Sequence, residues 1–278
     1  MNRRHCLGGI AAAAGFALGA LPRAAAATTL EQVHKRGALL VAVYDDMPPF
    51  HVKGQGVDVD IAAALAGALG VKLSLLPFPA DDSMNDDLRN MVWKGHYLGY
   101  GPADLLMHVP VERPLMMANP QVQIFAPYYR ERVAIARNLA RLPELESLQP
   151  LARLKTAVSG QSLAGWLMIG ADQGAYREHL STDWKDGTEC ARALQRGEVD
   201  AAAGRWSELE TVLRGDARYA IEPLPMPRAP QDGWATGMAV KKDATDLARA
   251  LQAAMDQLAG AGALKAIFAR ANLDWHTP

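Results

Sequence analysis

Residues 39–70 decide how the chain is read: Leu39-Leu-Val-Ala-Val-Tyr44, then Met47-Pro-Pro-Phe50, then Gly56-Val-Asp-Val-Asp-Ile61 and an alanine-rich run that stops at Gly70. The first six residues have the apolar, β-rich character of a buried strand, and the two prolines end it. Over 58–69, Ile61, Leu65 and Leu69 recur every four residues, Asp58 and Asp60 favour the positive end of a helix dipole, and Gly70 terminates the helix. Outward from there come a strand over 71–77 and a helix over 83–94, in which Leu88, Met91 and Val92 form one stripe and Ser83 and Asp86 stand in a capping arrangement. Strand and helix in alternation predict βαβ units and a mostly parallel sheet.

The pattern restarts with strands over 132–136 and 155–159, a helix over 163–171, another over 188–196 ended by Gly197, a strand over 199–203, and a helix over 205–214 with Leu209 and Leu213 inward. Proline-punctuated extended stretches at 121–132 and 223–233 bracket this set and read as crossings between lobes. A strand over 236–241 and helices over 243–258 and 263–269 close the chain. The expectation is an α/β protein of two lobes, each a mostly parallel sheet covered by helices, with the second inserted into the first. The first lobe then spans 28–128 and 228–278, and the second 129–227.

Of 278 residues, 50% are hydrophobic and 21% charged, with 29 Lys+Arg against 30 Asp+Glu. That composition supports a packed core and excludes a basic nucleic-acid binder and bulk disorder. Residues 1–27 differ: Arg3-Arg4, a soft Ala/Gly-rich run from Leu7 to Leu21, Pro22, Arg23 and an alanine tract ending at Ala27 read as a secretory signal, of either the twin-arginine or the general kind. The run is too short to span a bilayer, so no membrane insertion is expected. Without it the chain carries 26 cationic against 30 anionic residues, a net charge of −4. Only Cys190 then remains, so no intramolecular disulfide can form; its helical setting predicts a small buried apolar residue.

No phosphate loop, dinucleotide fingerprint, H-E-x-x-H or C-x-x-C occurs, which removes the enzymes built on them. Gly160-Gln-Ser-Leu-Ala164 partly matches a nucleophile elbow but lacks the last glycine; Ser162 reads equally as part of a dipole site at a helix start. Asp81, Asp82, Asp86 and Asp87 match no calcium loop and read as a solvated first turn rather than a cation site. His96 and His108 flank a glycine-rich stretch taken as a strand, and read as hydrogen-bonded histidines rather than metal ligands. Neither a metal, a cofactor nor a catalytic group is assigned.

The order of the opening motifs, together with Pro110-Val-Glu-Arg-Pro114, Ala126-Pro-Tyr-Tyr129 and Arg196-Gly-Glu-Val-Asp-Ala201, resembles the type II periplasmic solute-binding proteins of the amino-acid-binding class over essentially the whole chain beyond residue 27. A narrower resemblance, carried by 82–104, His108-Val-Pro-Val111 and Ile124-Phe-Ala-Pro-Tyr-Tyr-Arg-Glu131, is to the accessory binding proteins of PQQ-dependent alcohol dehydrogenases, the MxaJ/XoxJ type. It implies a periplasmic, non-catalytic protein that supports a quinoprotein methanol or alcohol dehydrogenase by contact or maturation. The alternative is a transporter's receptor for a small anionic or aromatic solute. In the amino-acid receptors an arginine matched here by Arg113 holds the ligand carboxylate, and an aspartate holds its ammonium; the matching position here is Arg205, of opposite charge, which argues against an unmodified amino acid.

In such folds the carboxyl ends of parallel strands form the crevice. That nominates Tyr44, Asp45 and Phe50 after the first strand, then Tyr97, Tyr100, Gly101 and Asp104, then Gln161, Ser162 and Trp166, then Arg205 and Trp206. The aromatic side chains would be flat walls and Arg113 and Arg205 would orient a carboxylate or an acidic partner. Core packing for Tyr44 and ion pairs to Glu112 or Glu208 for the arginines are the competing readings.

Overall fold

The computed structural model describes residues 29–278; the leader reading of 1–27 lies outside the described residues. Chain order in the first lobe is α1 (Thr29–Arg36), β1 (Ala38–Tyr44), α2 (Val57–Ala68), β2 (Lys72–Phe78), α3 (Met84–Leu88), β3 (Leu105–Pro110), α4 (Arg113–Ala118) and β4 (Val122–Glu131). The second lobe follows with β5 (Val133–Asn138), β6 (Thr156–Val158), α5 (Leu163–Gly170), β7 (Leu180–Ser181), α6 (Gly187–Gln195), β8 (Ala201–Arg205), α7 (Trp206–Leu213) and β9 (Tyr219–Pro223). The chain returns through β10 (Trp234–Lys241), α8 (Thr245–Gly260) and α9 (Ala263–Arg270).

The first sheet has the order β2-β1-β3-β10-β4, with β1 parallel to β2 and β3, and β10 antiparallel between β3 and β4. The second has the order β7-β6-β8-β5-β9, with β6 parallel to β7 and β8, and β5 antiparallel between β8 and β9. Each lobe is thus a mixed sheet with a parallel core, as expected.

Period-two alternation explains why β1 is apolar throughout. Val41 and Val43 face Ile61 and Leu65 of α2, Leu247 and Leu251 of α8, and Phe268 of α9. Ala42 and Tyr44 face Phe78, Leu88, Met91 and Leu106 on the other side. A strand covered on both faces has no polar side to present. The second sheet repeats this with smaller residues: Ala134, Ala136, Ala157 and Ala202 lie under Cys190, Leu194 and Leu209 of α6 and α7. Cys190 is buried, and burial pushes its thiol well above the ordinary range, so it behaves as the packing residue expected.

Several elements differ from the sequence reading. The helix expected over 83–94 is α3 followed by a π-helical turn, Arg89–Trp93. The stretch between His96 and Asp104 is a loop, not a strand, and His108 lies inside β3 rather than beside it. Most of 121–132 is β4, a full member of the first sheet, so the outward crossing shrinks to Arg132; the return over 224–233 is turn-rich rather than extended.

After α9 the tail leaves the first lobe and lies on α7. Thr211 Oγ1 donates to Ala271 O at 2.6 Å, Arg214 pairs with Asp274, and His276 Nε2 meets Glu210 Oε2 at 3.0 Å. Trp275 Nε1 donates to Tyr128 O at 2.7 Å, which fixes the same segment to β4. No helix among the described residues is long and apolar enough to cross a membrane.

Candidate functional site

Gly56 sets the geometry of the first wall. Its φ of 131° is a backbone region side chains avoid, and a Cβ there would stand 2.2 Å from the Phe50 carbonyl oxygen. That close approach brings the start of α2 under β1 and places Asp58 inside the lobe. Tyr128 on β4 donates its hydroxyl to Asp58 Oδ1 at 2.6 Å and accepts the His108 amide at 3.1 Å. His108 holds a φ of 63° and keeps Nδ1 3.3 Å from Asp58 Oδ2, near enough for electrostatic attraction but not aligned as a hydrogen bond.

His108 opens on a cavity of about 590 Å³ between the two sheets, lined by strand ends from both lobes. From the first lobe come Tyr44, Asp45, Asp46, Met47, Met84, Asp87 and Pro110; from the second Val133, Ser159, Gln161, Ser162, Leu163, Lys185, Asp186, Arg205 and Glu208, with Trp234 at the start of β10. The volume suits a small organic molecule, for which sites of about 300–1,000 Å³ are usual.

Asp87 is the unusual group in this lining. Only 3% exposed, it accepts the Tyr44 hydroxyl at 2.8 Å and the Asp81 amide at 2.8 Å. Burial raises its carboxyl to about 6, although both hydrogen bonds oppose the rise. Across the cavity Arg205 is not free: its Nη2 meets Glu208 Oε1 at 2.7 Å, and Glu208 Oε2 accepts the Arg205 amide at 2.9 Å. Lys185 of the second lobe contacts Asp46 of the first, an ion pair that spans the mouth.

The structure brings five of the thirteen nominated residues to the cavity: Tyr44, Asp45, Gln161, Ser162 and Arg205. Tyr44 serves in both proposed ways, packing on Phe78 at 4.7 Å while its hydroxyl holds Asp87. Ser162 caps α5, accepting the Gly165 amide at 3.0 Å and donating to Ser159 O at 2.8 Å, so its hydroxyl is engaged at the start of the helix. Phe50 is fully buried against His108, with ring centroids 4.1 Å apart. Asp104 lies at the opposite end of β1, paired with Arg36 and accepting the Leu40 amide. Tyr97 is 88% exposed, Tyr100 stacks on His96, and Gly101 is tucked against the Asn90 carbonyl. Arg113 is exposed at the start of α4, Trp166 is exposed beside a different groove on the second lobe, and Trp206 packs edge-on to His276.

Sequence reasoning missed Asp87, His108 and Lys185 as cavity residues. Asp87 was assigned to a solvated turn; Asp86 does behave that way, paired with Ser83 and Arg89, whereas its neighbour turns inward. The available signal was its position in the first turn after β2, where a βα connection faces the crevice. No group of three or more metal-capable side chains occurs among the described residues.

No protein family matches the chain by its sequence profile, and no curated protein matches it. Solved structures do. An ancestral cationic amino-acid solute-binding protein superposes with a TM-score of 0.65 at 20% identity, covering 87% of this chain and 99% of its own. An amino-acid ABC transporter substrate-binding protein from Streptococcus pneumoniae, bound to L-arginine, gives 0.61 at 21% identity over 88% and 98%. The solute receptor for L-cysteine of Neisseria gonorrhoeae gives 0.57 at 19% over 88% and 93%. The chain therefore has the type II periplasmic binding protein fold. These neighbours are amino-acid binders, and the expected link to a quinoprotein dehydrogenase finds no counterpart among them.

Proposed function

We propose that the protein is an exported, non-catalytic receptor that takes a small organic solute between its lobes and presents it to a membrane transporter. The observation that carries this reading is the cavity itself: it is walled by strand ends of both sheets, so a bound molecule would touch both lobes at once and favour the closed arrangement. The amino-acid transport proteins of the same fold support it. Trp234 lines the cavity and supplies a probe. Titrating intrinsic fluorescence with amines, amino acids, carboxylates and alcohols should give a saturable change for one class; a flat response to all of them overturns the receptor reading.

A second reading keeps the dehydrogenase-accessory role. It is favoured by the loop tip at Tyr97 and Leu98, 88% and 68% exposed, which lies inside the stretch that carries that resemblance. Retention of a PQQ-dependent dehydrogenase from a periplasmic extract, lost in a Tyr97→Ser/Leu98→Ser variant, would establish it; no retention would remove it.

A further inference from the structure

We propose that the solute is a small organic amine without a carboxylate, its ammonium seated against Asp87. This deepens the receptor reading and rests on it. Five carboxylates line the cavity, Asp45, Asp46, Asp87, Asp186 and Glu208, against two cations, Lys185 and Arg205. Both cations are already engaged, Lys185 by Asp46 and Arg205 by Glu208. An incoming carboxylate would find no unpaired guanidinium or ammonium in the lining, and would have to displace a carboxylate already in place. Arg113, the carboxylate clamp implied by the resemblance, is exposed outside the lining.

The remaining polar groups of the first wall accept rather than donate. Tyr44 turns its only proton to Asp87, and Asp87 lines the cavity with two oxygens that each accept one hydrogen bond and have capacity for another. His108 also lines the cavity, its Nδ1 edge turned toward Asp58 at 3.3 Å. An ammonium, with three donors and no acceptor, is the complement of such a wall. Met47, Met84, Pro110 and Trp234 supply the apolar surface for an alkyl or aryl body, and an indole face attracts cations. The start of α5 also meets the cavity, but Ser162 already occupies the Gly165 amide there and no free cation stands beside it.

The test uses ligand pairs that differ in the carboxylate. The purified chain is titrated calorimetrically with agmatine and L-arginine, with 1,4-diaminobutane and succinate, and with 2-phenylethylamine and 3-phenylpropionate. At least one amine should bind tenfold or more tighter than its partner. Asp87→Asn should weaken that amine tenfold or more while the variant melts no lower than the parent, and Glu178→Gln, at an exposed position outside the lining, should weaken it no more than threefold. Equal or tighter binding of L-arginine or of a simple carboxylate, or an Asp87→Asn variant of unchanged affinity, would overturn the amine assignment and leave the receptor standing. No binding by any of the six would bring down both.

Discussion

The Tyr128 hydroxyl joins two segments at once, donating to Asp58 at the start of α2 and accepting the amide of His108 on β3, at 2.6 Å and 3.1 Å. Both partners are buried, so neither can turn to water for a substitute. Tyr128→Phe should lower the unfolding free energy by about 1–3 kcal/mol, the range for leaving buried polar groups unpaired. Urea denaturation of the two proteins side by side measures it.

Gly56→Ala tests the turn that positions this cluster. The new methyl would lie 2.2 Å from the Phe50 carbonyl oxygen on a backbone that disfavours any side chain. A loss of about 3 kcal/mol or more is expected, and a loss below about 1 kcal/mol in the same denaturation assay would show that the turn yields easily.

Asp87 makes stability depend on pH in a stated direction. Its carboxyl is raised to about 6 in the folded chain from an ordinary 3.8, so the native state binds the proton more tightly than the unfolded state between those values. The group therefore costs stability above pH 6 and ceases to do so as pH falls toward 4. Asp87→Asn should melt higher than the parent at pH 7.5, by an amount equivalent to about 1–2 kcal/mol, and the gap should close near pH 4.5. A gap that widens on acidification would contradict the burial argument.

His276 works the other way. Its hydrogen bond to Glu210 raises the imidazole above its ordinary 6.5, against partial desolvation. That contribution is complete below about 6.5 and fades as pH rises through the higher folded value. With a third of the side chain exposed, His276→Gln should cost no more than about 1 kcal/mol at pH 5.5 and almost nothing at pH 9, read from melting curves at the two pH values.

Much of the architecture was legible because its signals are local. The spacing of Ile61, Leu65 and Leu69, the stops at Gly70 and Gly197, and the apolar run of β1 each report on a few neighbouring residues, and the elements so marked lie within a residue or two of their predicted ends. What escaped depends on packing at a distance. The described α1 helix is only eight residues long and buries a single residue, Val33, and β7 is two residues long. The site was legible in its location and less so in its members. Tyr44, Asp45 and Arg205 follow from strand ends, but whether an aromatic ring such as Tyr97 or Trp166 faces a crevice or solvent is decided by which way its loop turns. Asp86 and Asp87 are adjacent and chemically identical, and only the fold separates a solvated ion pair from a buried acid.

The tail described above gives the molecule a third link between its halves, beside the β4–β5 passage and the return into β10. All three lie close together, since Arg130 donates its amide to His276 O and Trp234 pairs with Glu131. A pair of neighbouring tethers lets one half both swing and screw relative to the other; a further one anchored on a helix damps the screw. Motion in this protein should then resemble a book falling open along its spine, and removing the contacts of Asp274 and His276 to α7 should loosen the binding of that spine while both covers keep their shape.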